Sequence, residues 1–167
     1  GNQGCARPIR PERFRNALTG PTALRYNFGR PVEGFEGTDG AWAPALDATL
    51  VAATTGNDIL VVRSLATDLP PLRTSAAFAG GAGTLPIEKP AGTGFPQGTS
   101  FVISDCEYAN VFTNSSAVAA AGTTANVARN PGAFLPPGGA VTVPENLGVA
   151  FPTYRAGSLV TAVETIV

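Results

Sequence analysis

The side chain that does most enzymatic acid–base work is missing from this chain, which contains no histidine. Without an imidazole there is no Ser-His-Asp triad, no Cys-His dyad, no HExxH zinc site and no histidine-held haem. A GxxxxGK[ST] loop is absent too, which removes P-loop phosphate chemistry. The only lysine, Lys89, stands between Glu88 and Pro90 in a stretch that reads as loop, a poor place to desolvate a catalytic amine. Carboxylates alone serve glycosidases and aspartic proteases, so Glu33, Glu36 and Asp39, close to Trp42, need weighing. Such a group would suit a calcium loop or a sugar subsite with Trp42 as stacking platform. It lacks the D-x-[DN]-x-[DN]-G ligand order, and the plainer reading is a solvated acidic turn with Trp42 anchoring the core. Asn114-Ser115-Ser116 fits the short N-x-[ST] acceptor pattern. No catalytic, cofactor-binding or metal-ligating residue is assigned, and the chain is expected not to be an enzyme.

Cys5 and Cys106 stand far apart and in no metal-ligand spacing. They form either one long-range disulfide or two buried free thiols, and a composition like that of secreted proteins favours the disulfide. Arginine is concentrated at the start. Residues 1–30 hold Arg7, Arg10, Arg13, Arg15, Arg25 and Arg30 against Glu12 alone, a local charge of +5, while the remainder is −6 and the whole chain −1. That is too little to make a nucleic-acid protein. The arginines are expected to pair with acidic surface, with Asp105 and Glu107 beside Cys106 as partners, and Arg7, Arg10 and Arg13 as candidate subunit contacts.

The elements that must position these residues read as strands. Charged residues are 14% of the 167, against about 25% in average domains, so the surface is largely Thr, Ser, Asn, Gly and small apolar groups. Twenty glycines and fifteen prolines interrupt the backbone too often for long helices. Residues 1–31 read as an extended, Arg- and Pro-punctuated lead-in, and residues 32–167 as a β-rich head, together one domain. Strands are predicted at 32–37, 58–64, 100–106, 109–114, 138–144 and 157–167. Trp42 is placed in a loop. Residues 66–98 read as a long, weakly structured excursion with one short strand at most, and the Ala-rich 115–130 as room for a helical turn. No apolar run approaches the ~20 residues that span a bilayer. The start without methionine and the abrupt final strand lead us to expect an incomplete ectodomain, whose last strand pairs with a partner outside these residues.

Several local patterns, in order, resemble the PilW-like minor pilins of bacterial type IV pili. Gly1-Asn2-Gln3-Gly4-Cys5 is similar to the point where that family's long N-terminal helix ends. Val32-Glu33-Gly34-Phe35-Glu36-Gly37 and Trp42-Ala43-Pro44-Ala45-Leu46 follow. Asn57 to Arg63 resembles the family's "SDVLVVR"-type strand, and Phe101 to Phe112 its "SDC … A-x-[VL]-F" element. The prepilin-peptidase site, the apolar helix and the C-terminal part of the ectodomain are not among these residues.

The resemblance implies an α+β or mainly β fold: a pilin-like head with an antiparallel sheet and long Gly/Pro-rich loops, its stalk helix absent from this chain. It implies a structural subunit of the initiating or tip complex of a pilus, serving assembly, attachment and twitching motility. Its partners would be other minor pilins, the major pilin and a tip adhesin. Location would be extracellular, on the pilus, with membrane contact only through the missing helix and with no cofactor. A type II secretion pseudopilin is the near alternative. An adhesive or carbohydrate-binding β-module using Trp42, Tyr26 and the acidic turn is the distant one.

Overall fold

The computed structural model describes residues 9–20, 24–38, 40–47, 50, 56–81, 83–131 and 146–167. The chain is mainly β. The strands are Phe14–Asn16 (β1), Val32–Thr38 (β2), Ala41–Ala43 (β3), Ile59–Leu65 (β4), Leu72–Thr74 (β5), Thr84–Glu88 (β6), Ser100–Ser104 (β7), Ala109–Thr113 (β8), Thr124–Ala128 (β9) and Leu159–Ile166 (β10). Among the described residues the helical segments are two 3-10 turns, Pro11–Arg13 and Leu24–Tyr26.

All ten strands join one curled, mixed sheet. The main path runs β1-β8-β7-β10-β4-β2-β3, parallel at β1–β8 and antiparallel elsewhere. Its centre is β10, which carries β7 along one side. Its other side is shared, β5 taking Leu159 and Val160 and β4 taking Val163 to Ile166. From β5 a second arm, β5-β6-β9, curls back over the main sheet. A strand that changes partners along its length lets one sheet fold over itself, and the space between the two arms is the main core.

Alternation fills that core. Phe101 and Ile103 of β7, Phe112 of β8, and Val160 and Ala162 of β10 point inward, meeting Leu72, Leu85, Ile87, Val127 and the loop aromatics Phe78, Phe95, Phe151 and Tyr154. Phe95 meets Phe101 edge-on at 5.2 Å and Phe101 stacks on Phe112 at 5.8 Å. Such pairs contribute about 0.5–1.5 kcal/mol each beyond their burial. Gly80 is required by packing: a side chain there would meet the Phe151 carbonyl oxygen at 1.7 Å. A smaller cluster of Leu24, Phe35 and Val61, with Trp42, Leu46, Leu50 and Ile59 against it, fills the opposite face at the β2–β4 end.

Several expectations need correction. The lead-in is no loop: β1 pairs with β8, and Ala17 and Leu18 are completely buried. Trp42 lies in β3, the return strand of a hairpin with β2. The 66–98 stretch supplies β5, β6 and six core side chains, and 115–130 supplies β9 instead of a helical turn. The last strand is central, not orphaned, since Ile166 pairs with Val62. The strand expected at 138–144 lies outside the described residues.

Candidate interaction surface

The predicted charge pairing forms at one place. Arg13 donates to Glu107 across the β7–β8 turn and lies 4.7 Å over the Tyr108 ring. The hydrogen bond to Glu107 raises the Arg13 pKa, holding the guanidinium charged. Cys106 sits at the tip of that turn with φ of 72°, an uncommon left-handed conformation for a residue with a side chain. Asp105 Oδ1 braces the turn by accepting the Glu107 and Tyr108 amides at 3.0 and 2.9 Å. Arg10 is exposed and reaches only Glu12, at 3.9 Å. Arg7 and Cys5 lie outside the described residues, and so does the expected bridge.

Among the described residues the acidic group does not converge on one point. Glu33 is taken by Arg63 at 3.0 Å and approached by Arg30 at 3.8 Å, whereas Glu36 is exposed. Asp39 lies outside the described residues. Arg63, which nothing in its sequence context singles out, is one of the most used side chains in the molecule. Its side chain is 1% exposed, and its guanidinium also donates to the Leu24 and Arg30 carbonyls, tying the 24–30 segment to β4. Trp42 donates its indole N–H to the Asn57 carbonyl at 3.1 Å and packs on the smaller cluster, as a core anchor does.

The other cations are structural as well. Lys89 is buried, its ammonium donating to the carbonyls of Ala120, Ala121 and Gly122 at 2.9, 3.1 and 2.8 Å. Arg129 is buried with its guanidinium 3.9 Å over the Phe151 ring, donating to Gly81 and Val149, and burial lowers its pKa. Asn114 is fully buried, which withdraws the short glycosylation pattern from the surface of this fold. Among the described residues no group of His, Cys, Asp or Glu is arranged to hold a metal. An open cleft of about 430 Å³ lies beside β10, lined by Arg25, Tyr26, Phe28, Asp68 and Glu164. Trp42 is not among the residues that line it.

What stands out is a bare sheet face. Directly opposed residues share a face of a sheet, as do residues two apart on one strand. Val32 of β2, Val62 of β4 and Ile166 of β10 are opposed in a row, and Leu60 is the next residue of β4 on the same side. Val32 is 60%, Leu60 59% and Ile166 54% exposed. Along β10 this face runs from Val160 and Ala162, which the β5-β6-β9 arm covers, through half-buried Glu164, opposite Ser64 of β4, to Ile166. The arm stops short, and the core face runs on uncovered. Scattered exposed apolar residues need no explanation, but a contiguous row of them marks an interface. The sequence carried a signal for it: in Ile59-Leu60-Val61-Val62 both alternating positions are apolar, the pattern of a strand covered on both sides.

No family model, no curated protein and no solved structure matches this chain. Among the described residues no helix is long and apolar enough to cross a membrane.

Proposed function

We propose that this domain is a non-catalytic assembly module, the head of a PilW-like minor pilin that takes its place in a type IV pilus. The observation that carries the reading is the bare apolar row of Val32, Leu60, Val62 and Ile166. An exposed face of that kind costs free energy until another element or subunit covers it, at about 25 cal/mol per Å² of apolar surface. In a filament subunit, covering it is what assembly does. The ordered family-like motifs and the absence of histidine point the same way. The domain would act outside the cell by stoichiometric incorporation, its neighbours being other minor pilins, the major pilin and a tip adhesin.

The test is a strain deleted for this gene and complemented with the full-length protein or with Leu60→Glu or Ile166→Glu versions. Pili are counted on the surface and minor pilins recovered by copurification. The proposal expects loss of pili on deletion, rescue by the unaltered protein and failure of both altered versions while their heads stay folded. Normal piliation in the deletion strain would refute it.

A further inference from the structure

The cleft beside β10 exists because two neighbouring strands end at different levels. Ala162 opposite Phe101 is the last pair between β10 and β7; β7 reaches no further than Ser100, while β10 runs on to Ile166 alongside β4. One wall of the space so left is the 24–28 segment, and it is held in place. Thr165 donates its hydroxyl to the Arg25 carbonyl and Asn16 its side-chain amide to the Tyr26 carbonyl, both at 2.6 Å, and Arg63 donates to the Leu24 carbonyl at 2.9 Å. At about 430 Å³ the cleft falls in the range of small-molecule sites, about 300–1,000 Å³. Its lining holds hydrogen-bonding groups that the fold leaves unused. Ser100 is only 7% exposed, yet its hydroxyl has no hydrogen-bond partner among the described residues. The Asp68 and Glu164 carboxylates and the Arg25 guanidinium are likewise in no ion pair or hydrogen bond among them. By contrast, Glu33, Arg63 and Lys89 are all spent on partners within the chain. A buried polar group without a partner is costly unless something else supplies one. Tyr26 and Phe28, both half-buried, add ring surface to the same cleft.

We propose that this cleft binds a neutral sugar, a mono- or disaccharide. The lining chemistry selects that class. Two carboxylates that only accept, a guanidinium that only donates and a hydroxyl that does both suit a ligand rich in hydroxyls, each able to donate and to accept. The rings of Tyr26 and Phe28 suit the C–H face of a pyranose, which is apolar inside a polar rim. An anionic ligand would meet Asp68 and Glu164, and a cationic one would meet Arg25. A neutral polyol incurs neither repulsion and can use all four groups.

This does not rest on the pilus reading, and its failure would leave that reading standing. It is tested on the isolated 167-residue chain by amide shift mapping in NMR titrations. The probes are glucose, galactose, mannose and N-acetylglucosamine, singly and as disaccharides, with n-butylamine as the cationic control. At least one sugar is expected to bind in the millimolar range or tighter and to shift the Tyr26, Ser100 and Glu164 amides together. Asp68 is exposed and its carboxylate holds nothing else in the fold, so Asp68→Asn keeps the structure and should weaken binding about tenfold or more, the loss of a hydrogen bond to a charged group. Ser100→Ala should weaken it about fivefold. Silence of the cleft amides to every sugar at high millimolar concentration overturns the proposal, as do sugar shifts that centre on Trp42. Binding of n-butylamine with no response to any sugar overturns it as well and makes the cleft a cation site. Sugar binding undiminished in both Asp68→Asn and Ser100→Ala would refute it even where the cleft amides shift.

Discussion

The side-chain amide of Asn146 pairs with the backbone of Thr113 as a strand residue would. Its Oδ1 accepts the Thr113 amide at 2.7 Å and its Nδ2 donates to the Thr113 carbonyl at 2.6 Å, with both residues buried. The end of β8 is therefore completed by a side chain. The Asn146 backbone also forms bridges with Leu18 and Pro131, so one residue fastens three stretches of chain together. Asn146→Ala leaves a buried donor and acceptor unmet, at about 1–3 kcal/mol for such a group. We expect urea unfolding to show a loss of at least that size, and Asn146→Asp to recover none of it, since it sets a buried carboxylate against the Thr113 carbonyl.

Arg63 is the second fastening. Its buried fork serves two carbonyls and a carboxylate, a geometry that an ammonium cannot reproduce. Arg63→Ala leaves the Leu24 and Arg30 carbonyls without their donor and Glu33 with only the longer contact to Arg30, and should cost about 3–5 kcal/mol, the range for breaking a buried pair. Arg63→Lys should recover less than half of it. The measurement is the denaturation midpoint, and equal stability of the lysine variant and the unaltered chain would contradict this role.

Tyr154 gives the fold a pH dependence on the alkaline side. It is completely buried, with its hydroxyl accepting from Asn110, and burial pushes its pKa up from the ordinary phenol value. The unfolded chain therefore releases this proton first. Its contribution to stability is fully present below pH about 10 and is lost as the pH climbs toward the raised folded value. Melting temperature should fall more steeply above pH about 10 than below it. The slope should be shallower in Tyr154→Phe, with a residue left from Tyr26, whose pKa burial also raises.

The turn holding Cys106 should report the disulfide. Among the described residues no cysteine is free, and we expect peptide mass mapping without reduction to join Cys5 to Cys106. A bridge closing a loop of about 100 residues contributes up to about 4.7 kcal/mol in the chain-entropy account. Reduction should lower the denaturation midpoint. Two thiols reacting with iodoacetamide in the native protein would exclude the bond.

Most strands visible in the sequence have β-branched, uninterrupted runs: β4, β7, β8 and β10 appear within a residue or two of where they were expected, as does β2, legible from its alternation. Those that escaped, β1, β3, β5, β6 and β9, are short and owe their conformation to neighbours. Pro86 sits in the middle of β6 and alone argues against a strand, yet Leu85 and Ile87 on either side bury completely under the arm. Arg13 with Glu107 was legible from the Arg-rich start of the chain and the acidic residues on either side of Cys106. Arg63, Lys89 and Arg129 were not, because what buries a cation is a set of backbone carbonyls, and carbonyls leave no mark in a sequence. The apolar residues of the candidate surface could be read, but not their exposure. Whether Leu60 and Val62 meet a core or the solvent depends on how far the β5-β6-β9 arm reaches, a property of the whole fold.

The position of β10 bears on how the molecule is made. It is the last of the described strands to leave a ribosome, and β4, β5 and β7 all need it as their neighbour. Until residues 159–166 emerge, the two arms of the sheet have nothing to join them, and β4 and β7 present bare inner edges. Non-local pairings of this kind are slow to form, and they leave strand edges exposed to other chains meanwhile. The described sheet thus waits for the strand that knits its earlier strands together, and a nascent chain halted before residue 159 is a set of unjoined hairpins.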